Sequence, residues 1–170
     1  YLKIFGVKNL LLISLMSFTL CCCDKDDNKP TNPVSQLPPE TQVGANTFGC
    51  LINGKPFVVS NTSQQTAIYQ GGLLQLGGSG IGIDINSVEI NNIYSLVGVT
   101  LAGRARYQVG TNPQLDCQYD FGDTYQGSII FTKKDTVNYI ISGRFEFSTI
   151  NINCENINIT NGRFDLQYIP

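Results

Sequence analysis

From Thr47 onward the chain consists of short apolar runs separated by Gly, Asn and Asp, and no stretch keeps helical spacing over several turns. The pattern predicts strands. Runs at 47–52 and 55–60 flank Asn53-Gly54, the strongest short hairpin signal because both residues tolerate positive φ. A short strand is expected at 66–70. Runs at 73–76 and 81–85 flank Gly77-Gly78-Ser79-Gly80, a second hairpin, in which Ile81, Ile83 and Ile85 face one way and Gly82, Asp84 and Asn86 the other. The run 93–101 is apolar on both faces around Ser95 and Gly98; it fits a central strand or a short helix, and a strand is expected. Ala105, Tyr107 and Val109 alternate with Arg104, Arg106 and Gln108, and the stretch 111–116, with Pro113, reads as a loop.

The final third alternates most clearly. Tyr125, Gly127, Ile129 and Phe131 are expected on one face, then a turn at Lys133-Lys134-Asp135-Thr136, then Val137, Tyr139, Ile141, Gly143, Phe145 and Phe147. Ser142, Arg144, Glu146 and Ser148 are expected on a wet opposite face. Ile157 and Ile159 are odd-numbered while Phe164, Leu166 and Tyr168 are even, so one extra residue is needed, and Asn161-Gly162 is the place for a bulge or tight turn. The fold class is therefore all-β, an antiparallel β-sandwich or flattened β-barrel of about eight or nine strands. Gly143-Arg144-Phe145-Glu146-Phe147 and Gly162-Arg163-Phe164-Asp165-Leu166 are alike, which implies two strands that each need a glycine, an inward Phe, and an outward Arg and acid.

The segment before this domain has a different pattern. Lys3 and Lys8 precede an apolar core at 10–20, too short for a bilayer-spanning helix, which needs about 20 apolar residues. Residues 1–22 read as a secretory leader. The following residues resemble the lipobox of bacterial lipoproteins, with Cys23 as the acylated residue, Leu20 three positions before it and Cys22 as its small neighbour. Cys21 and Cys22 fit that spacing less well. Stable attachment needs more than one lipid chain, each buried methylene contributing about 0.8 kcal/mol, and a multiply acylated cysteine provides this. Asp24, Lys25, Asp26 and Asp27 resemble the Lys-plus-acidic export signals of Bacteroidota lipoproteins. These features imply an outer-membrane lipoprotein exposed at the cell surface, with a periplasm-facing orientation as the alternative. Pro30, Pro33, Pro38 and Pro39 lie among polar residues, so 23–46 reads as the lipidated Cys and a flexible tether, and 47–170 as the domain.

Several stretches together resemble an uncharacterised lipoprotein family of Bacteroidota, a domain of unknown function. They are Leu37-Pro38-Pro39-Glu40-Thr41, the run from Asn46 through Cys50 and Asn53-Gly54 to Phe57, Ile141-Ser142-Gly143-Arg144-Phe145-Glu146-Phe147, and Ile159-Thr160-Asn161-Gly162-Arg163-Phe164-Asp165. The resemblance implies a small all-β lipoprotein and brings no catalytic residue with it.

Composition narrows the chemistry. Of 11 basic residues Lys3 and Lys8 leave with the leader, so nine face 13 acidic ones, a mature net charge of −4 that argues against nucleic acid as a partner. With His at zero, Ser-His-Asp and Cys-His arrangements cannot be assembled. The three cysteines beyond Cys23 lack the close Cys-x-x-Cys spacing of a zinc site. A bridge between Cys117 and Cys154, both beside expected turns, is favoured, with Cys50 a buried thiol in an apolar strand. No phosphate loop occurs, because the Gly77 to Gly82 run precedes a strand rather than a helix. No catalytic residue, metal site or cofactor is assigned.

Acids and aromatics mix in one place, at Asp116, Tyr119, Asp120, Asp123 and Tyr125, with Phe121 among them. Such a loop could stack a sugar, take a hard cation, or supply paired carboxylates for glycoside hydrolysis. The expected function is a non-enzymatic binding or interaction module on a lipid anchor, with a glycan or protein partner. The alternatives are a carboxylate-dependent glycan-active enzyme and a purely structural envelope component.

Overall fold

Each tight hairpin forms where its turn residues permit. Asn53 and Gly54 both take positive φ, 48° and 77°, and close the first hairpin as their sequence predicts. In the computed structural model, which describes residues 32–110, 112 and 116–170, eleven strands are present among the described residues. They are β1 (Thr47–Ile52), β2 (Lys55–Val58), β3 (Gln65–Gln70), β4 (Leu73–Gly78), β5 (Ile81–Asn86), β6 (Ile93–Ser95), β7 (Gly103–Gln108), β8 (Gln118–Tyr119), β9 (Thr124–Asp135), β10 (Ile140–Thr149) and β11 (Ile157–Gln167). They form two antiparallel sheets, β2-β1-β11-β10-β9-β6 and β3-β4-β5-β7-β8, and the fold is a sandwich rather than a closed barrel. The strands exceed the expected eight or nine because pieces as short as β8 show no alternation.

One core lies between the sheets. Leu74, Leu76, Ile81, Ile83, Ile85 and Ala105 of the smaller sheet meet Phe48, Ile129, Phe131, Phe145, Phe147, Ile159, Phe164 and Leu166 of the larger. The phenylalanines form a connected string, with Phe48 stacked on Phe145 at 5.2 Å and Phe131 edge-on to Phe164 at 5.8 Å. Cys50 is buried among them and free, while Cys117 is joined to Cys154 with their Cα atoms 6.0 Å apart.

The two Gly-Arg-Phe motifs pair with each other. In the antiparallel register of β10 and β11, Gly143 faces Phe164, Arg144 faces Arg163 and Phe145 faces Gly162. A Cβ on Gly143 would lie 2.8 Å from the Phe164 ring, and one on Gly162 2.7 Å from the Phe145 ring. Each glycine therefore makes room for the other motif's phenylalanine.

Bulges correct several expectations. The one at Asn161 falls where the parity change requires it: Gly162 pairs with Phe145 but Ile159 with Phe147, and Asn161 has φ 53°. Strand β9 carries two more. Thr132 is extra between Phe131 and Lys133, and Tyr125 is extra between Thr124 and Gln126. The second puts Tyr125 on the surface, 53% exposed, and turns Thr124 inward, where its hydroxyl donates to Ala105 O at 2.8 Å. The expected turn at Lys133-Lys134-Asp135-Thr136 lies later: the strand runs through Asp135, whose carboxylate accepts from Val137 N and Asn138 N at 3.0 and 2.9 Å. Val137 and Tyr139 are accordingly exposed. Of the run 93–101 only β6 is strand, an edge neighbour of β9, and Val97, Val99 and Leu101 face outward.

The expected tether also needs correction. The compact unit begins at Asn32, not Thr47. Leu37 is buried, and residues 41–45 hang on one carboxylate of β11. Scarcity of apolar residues does not reveal this docking because hydrogen bonds carry most of it. The leader, Cys23, Asp24, Lys25, Asp26, Asp27 and the tether up to residue 31 lie outside the described residues, as does most of the 111–116 loop.

Candidate functional site

The corner that mixes acids and aromatics is well ordered by its own bonds. The Asp116 carboxylate accepts from Asn112 N at 2.8 Å. That of Asp123 accepts from Asp120 N at 2.8 Å and so closes a short 3-10 turn, Phe121–Asp123. Tyr119 belongs to the core: it is buried, stacks on Tyr107 at 6.1 Å, and donates its hydroxyl to Glu155 O. Burial, with the Glu155 charge added, pushes the Tyr119 phenol up. Phe121 lies under two guanidiniums, Arg104 at 4.3 Å and Arg106 at 5.5 Å from its centroid. Asp116, Tyr119, Asp120 and Asp123 thus share a corner, but the Asp116 and Asp123 carboxylates cap local backbone and Tyr119 supports packing. Among the described residues no group of three or more Cys, Asp or Glu is placed to hold a metal ion.

Tyr125 is directed elsewhere. Its bulge turns it onto the outer face of the larger sheet, where it lines a depression of about 400 Å³ with Gln126, Glu146, Ser148, Asn158 and Thr160. Glu146 is shared with a neighbouring depression of about 470 Å³, lined by Glu40, Ser128, Arg144, Asn161 and Arg163. Together they make one polar groove across β9, β10 and β11. Its floor combines amides, hydroxyls and charged groups, with the tyrosine at one end and the arginines at the other. Ser148 donates its hydroxyl to Asn158 Oδ1 at 3.0 Å, fixing one amide in the floor.

Glu40 closes the arginine end, and Asp165 holds the residues that follow it, Thr41 to Ala45. Its Oδ2 accepts from the Thr41 hydroxyl at 2.6 Å, Val43 N at 3.0 Å and Ala45 N at 3.1 Å; Oδ1 accepts from Gly44 N at 2.9 Å and the Ser142 hydroxyl at 2.8 Å. Burial alone would raise this carboxyl, but the donors from Thr41, Ala45, Ser142 and Gly44 outweigh it and hold it down at about 2. Ser142 and Ser148, expected on a wet face, are both buried, Ser142 beneath this strap.

Two residues beyond Asp165, toward the bulge, Arg163 stands beside Arg144 on the neighbouring strand. Glu40, from the strap, accepts from Arg144 Nε at 2.7 Å and lies 4.0 Å from Arg163 Nη2.

No family model, curated protein or solved structure matches the chain. Sequence reasoning placed Tyr125 among the candidate residues but missed Glu40, Arg144, Glu146, Asn158 and Arg163 as groove lining. The signals for four of them, all but Asn158, were the recurring Gly-Arg-Phe-acid stretch and the run Leu37-Pro38-Pro39-Glu40-Thr41. Nothing in the one-dimensional pattern shows that these meet.

Proposed function

We propose that the protein is a membrane-anchored envelope lipoprotein whose β-sandwich is a non-enzymatic binding module, and that its contact surface is the polar groove on the outer face of the larger sheet. The observation that carries the reading is the composition of that groove: Gln126, Ser128, Asn158, Thr160 and Asn161 beside an exposed Tyr125. Amides and hydroxyls satisfy sugar hydroxyls, and an aromatic face covers the apolar side of a sugar ring, so a glycan is the ligand proposed. Anchoring rests on the leader and on Cys23, and surface display on Asp24, Lys25, Asp26 and Asp27.

The test is an array of soluble oligosaccharides probed with the full chain in detergent and with two groove variants. Tyr125→Ala and Asn158→Ala are expected to weaken the strongest signal about tenfold each, the loss typical of a contact that dominates a small site. Signals that survive both changes and vanish in Asp120→Ala would move the site back to the acidic corner.

A further inference from the structure

Arg144 and Arg163 are direct neighbours across two strands, a placement that sets like charges side by side. Glu40 is the carboxylate that answers them, and it serves them unequally. It bonds Arg144, but at 4.0 Å it is beyond hydrogen-bonding distance of Arg163. Arg163 otherwise makes one long bond, from Nη1 to Pro38 O at 3.3 Å, and its Nε is buried with no partner. The Arg163 side chain is only 15% exposed, so water reaches it poorly, while that of Glu40 is 40% exposed and can swing out. An exposed ion pair of this kind is weak and yields to a better-placed competitor. With Glu40 withdrawn, the groove end holds two guanidiniums and Glu146, a net charge of +1.

We propose that the Arg144–Arg163 end of the groove is a carboxylate site that takes the acid group of a uronic acid residue in a glycan, and that Glu40 occupies it as an internal stand-in when no ligand is bound. The inference rests on the glycan-binding reading above and names the sugar class. A planar carboxylate bridging the two forks satisfies donors that Glu40 leaves unused, which is where guanidinium is superior to ammonium. The sugar's hydroxyls then run toward Ser128, Asn161 and the Tyr125 end of the same groove.

Titration calorimetry of the full chain in detergent with a galacturonic acid trisaccharide and the matching neutral galactose trisaccharide tests this. The acidic probe is expected to bind at least about tenfold more tightly than the neutral one, with Arg144→Gln removing most of that difference and Glu40→Gln tightening the acidic probe about threefold or more. Arg144 is exposed on its side-chain surface, so the variant keeps the core intact. Equal affinity for the two probes, an unchanged affinity in Arg144→Gln, or weaker uronate binding in Glu40→Gln overturns the carboxylate site. The groove reading then stands or falls on the array result with Tyr125→Ala.

Discussion

Asp165 shows how much one side chain can organise here. Five donors converge on a carboxylate that is 1% exposed, so the charge is fully compensated where it is most costly to bury. Asp165→Asn puts an amide N–H against donors it cannot accept from, and is expected to cost about 3 kcal/mol in urea unfolding. The pH dependence follows from the depressed pKa. The stability Asp165 contributes is fully present above its usual value of 3.8, and falls away as pH drops toward and through about 2, a loss of about 2 kcal/mol that Asp165→Asn should not show. Asp135 is depressed to about 2 as well, chiefly by the Asn138 side chain and backbone, and its contribution disappears in the same window. Cys50 goes the other way, pushed up to about 12 by burial, so it is expected to resist alkylation in the native protein and react in denaturant. Cys117 and Cys154 should react only after reduction, which peptide mapping distinguishes. The bridge and the buried thiol were legible from turn positions and an apolar run. The role of Asp165 was not, because its sequence position says only that an acid recurs two residues after an Arg.

Among the elements, bulges decide which side chains reach the groove. The bulge at Asn161 is readable because apolar residues on either side of it change parity. The one at Tyr125 is silent: Thr124 is polar and Tyr125 amphipathic, so alternation alone assigns the tyrosine to the core. The paired motifs supply a sharp test. A Cβ on Gly162 would meet Phe145 O at 2.5 Å as well as the Phe145 ring, and Gly162→Ala is expected to cost about 3 kcal/mol, the upper end for overpacking. Gly122→Ala, where nothing lies within 4 Å, should stay within about 0.5 kcal/mol in the same unfolding assay. The disulfide spans 37 residues, and replacing both cysteines by Ser is expected to lower stability by about 2–4 kcal/mol.

For the molecule as a whole, fold class was legible because turn residues and period-two alternation recur from Thr47 to Tyr168. Sandwich closure was not, since alternation marks a buried face without saying which sheet covers it. The domain boundary was misplaced for the same reason: a strap held by hydrogen bonds to Asp165 has no hydrophobic signature apart from Leu37. Protease shaving of intact cells is expected to remove the wild-type domain and to spare a variant with Lys25, Asp26 and Asp27 changed to Ala. Resistance of the wild type would contradict surface display.

The central claim is that the outer face of the larger sheet, rather than the acidic corner, meets the ligand. Hydrogen–deuterium exchange of the full chain, with and without the strongest oligosaccharide from the array, reads this directly. The account predicts slowed exchange in residues 126–130, 144–148 and 158–163, with altered exchange in 40–45 as Glu40 releases its arginines. Protection confined to residues 116–124, or none in these three strands, would contradict it.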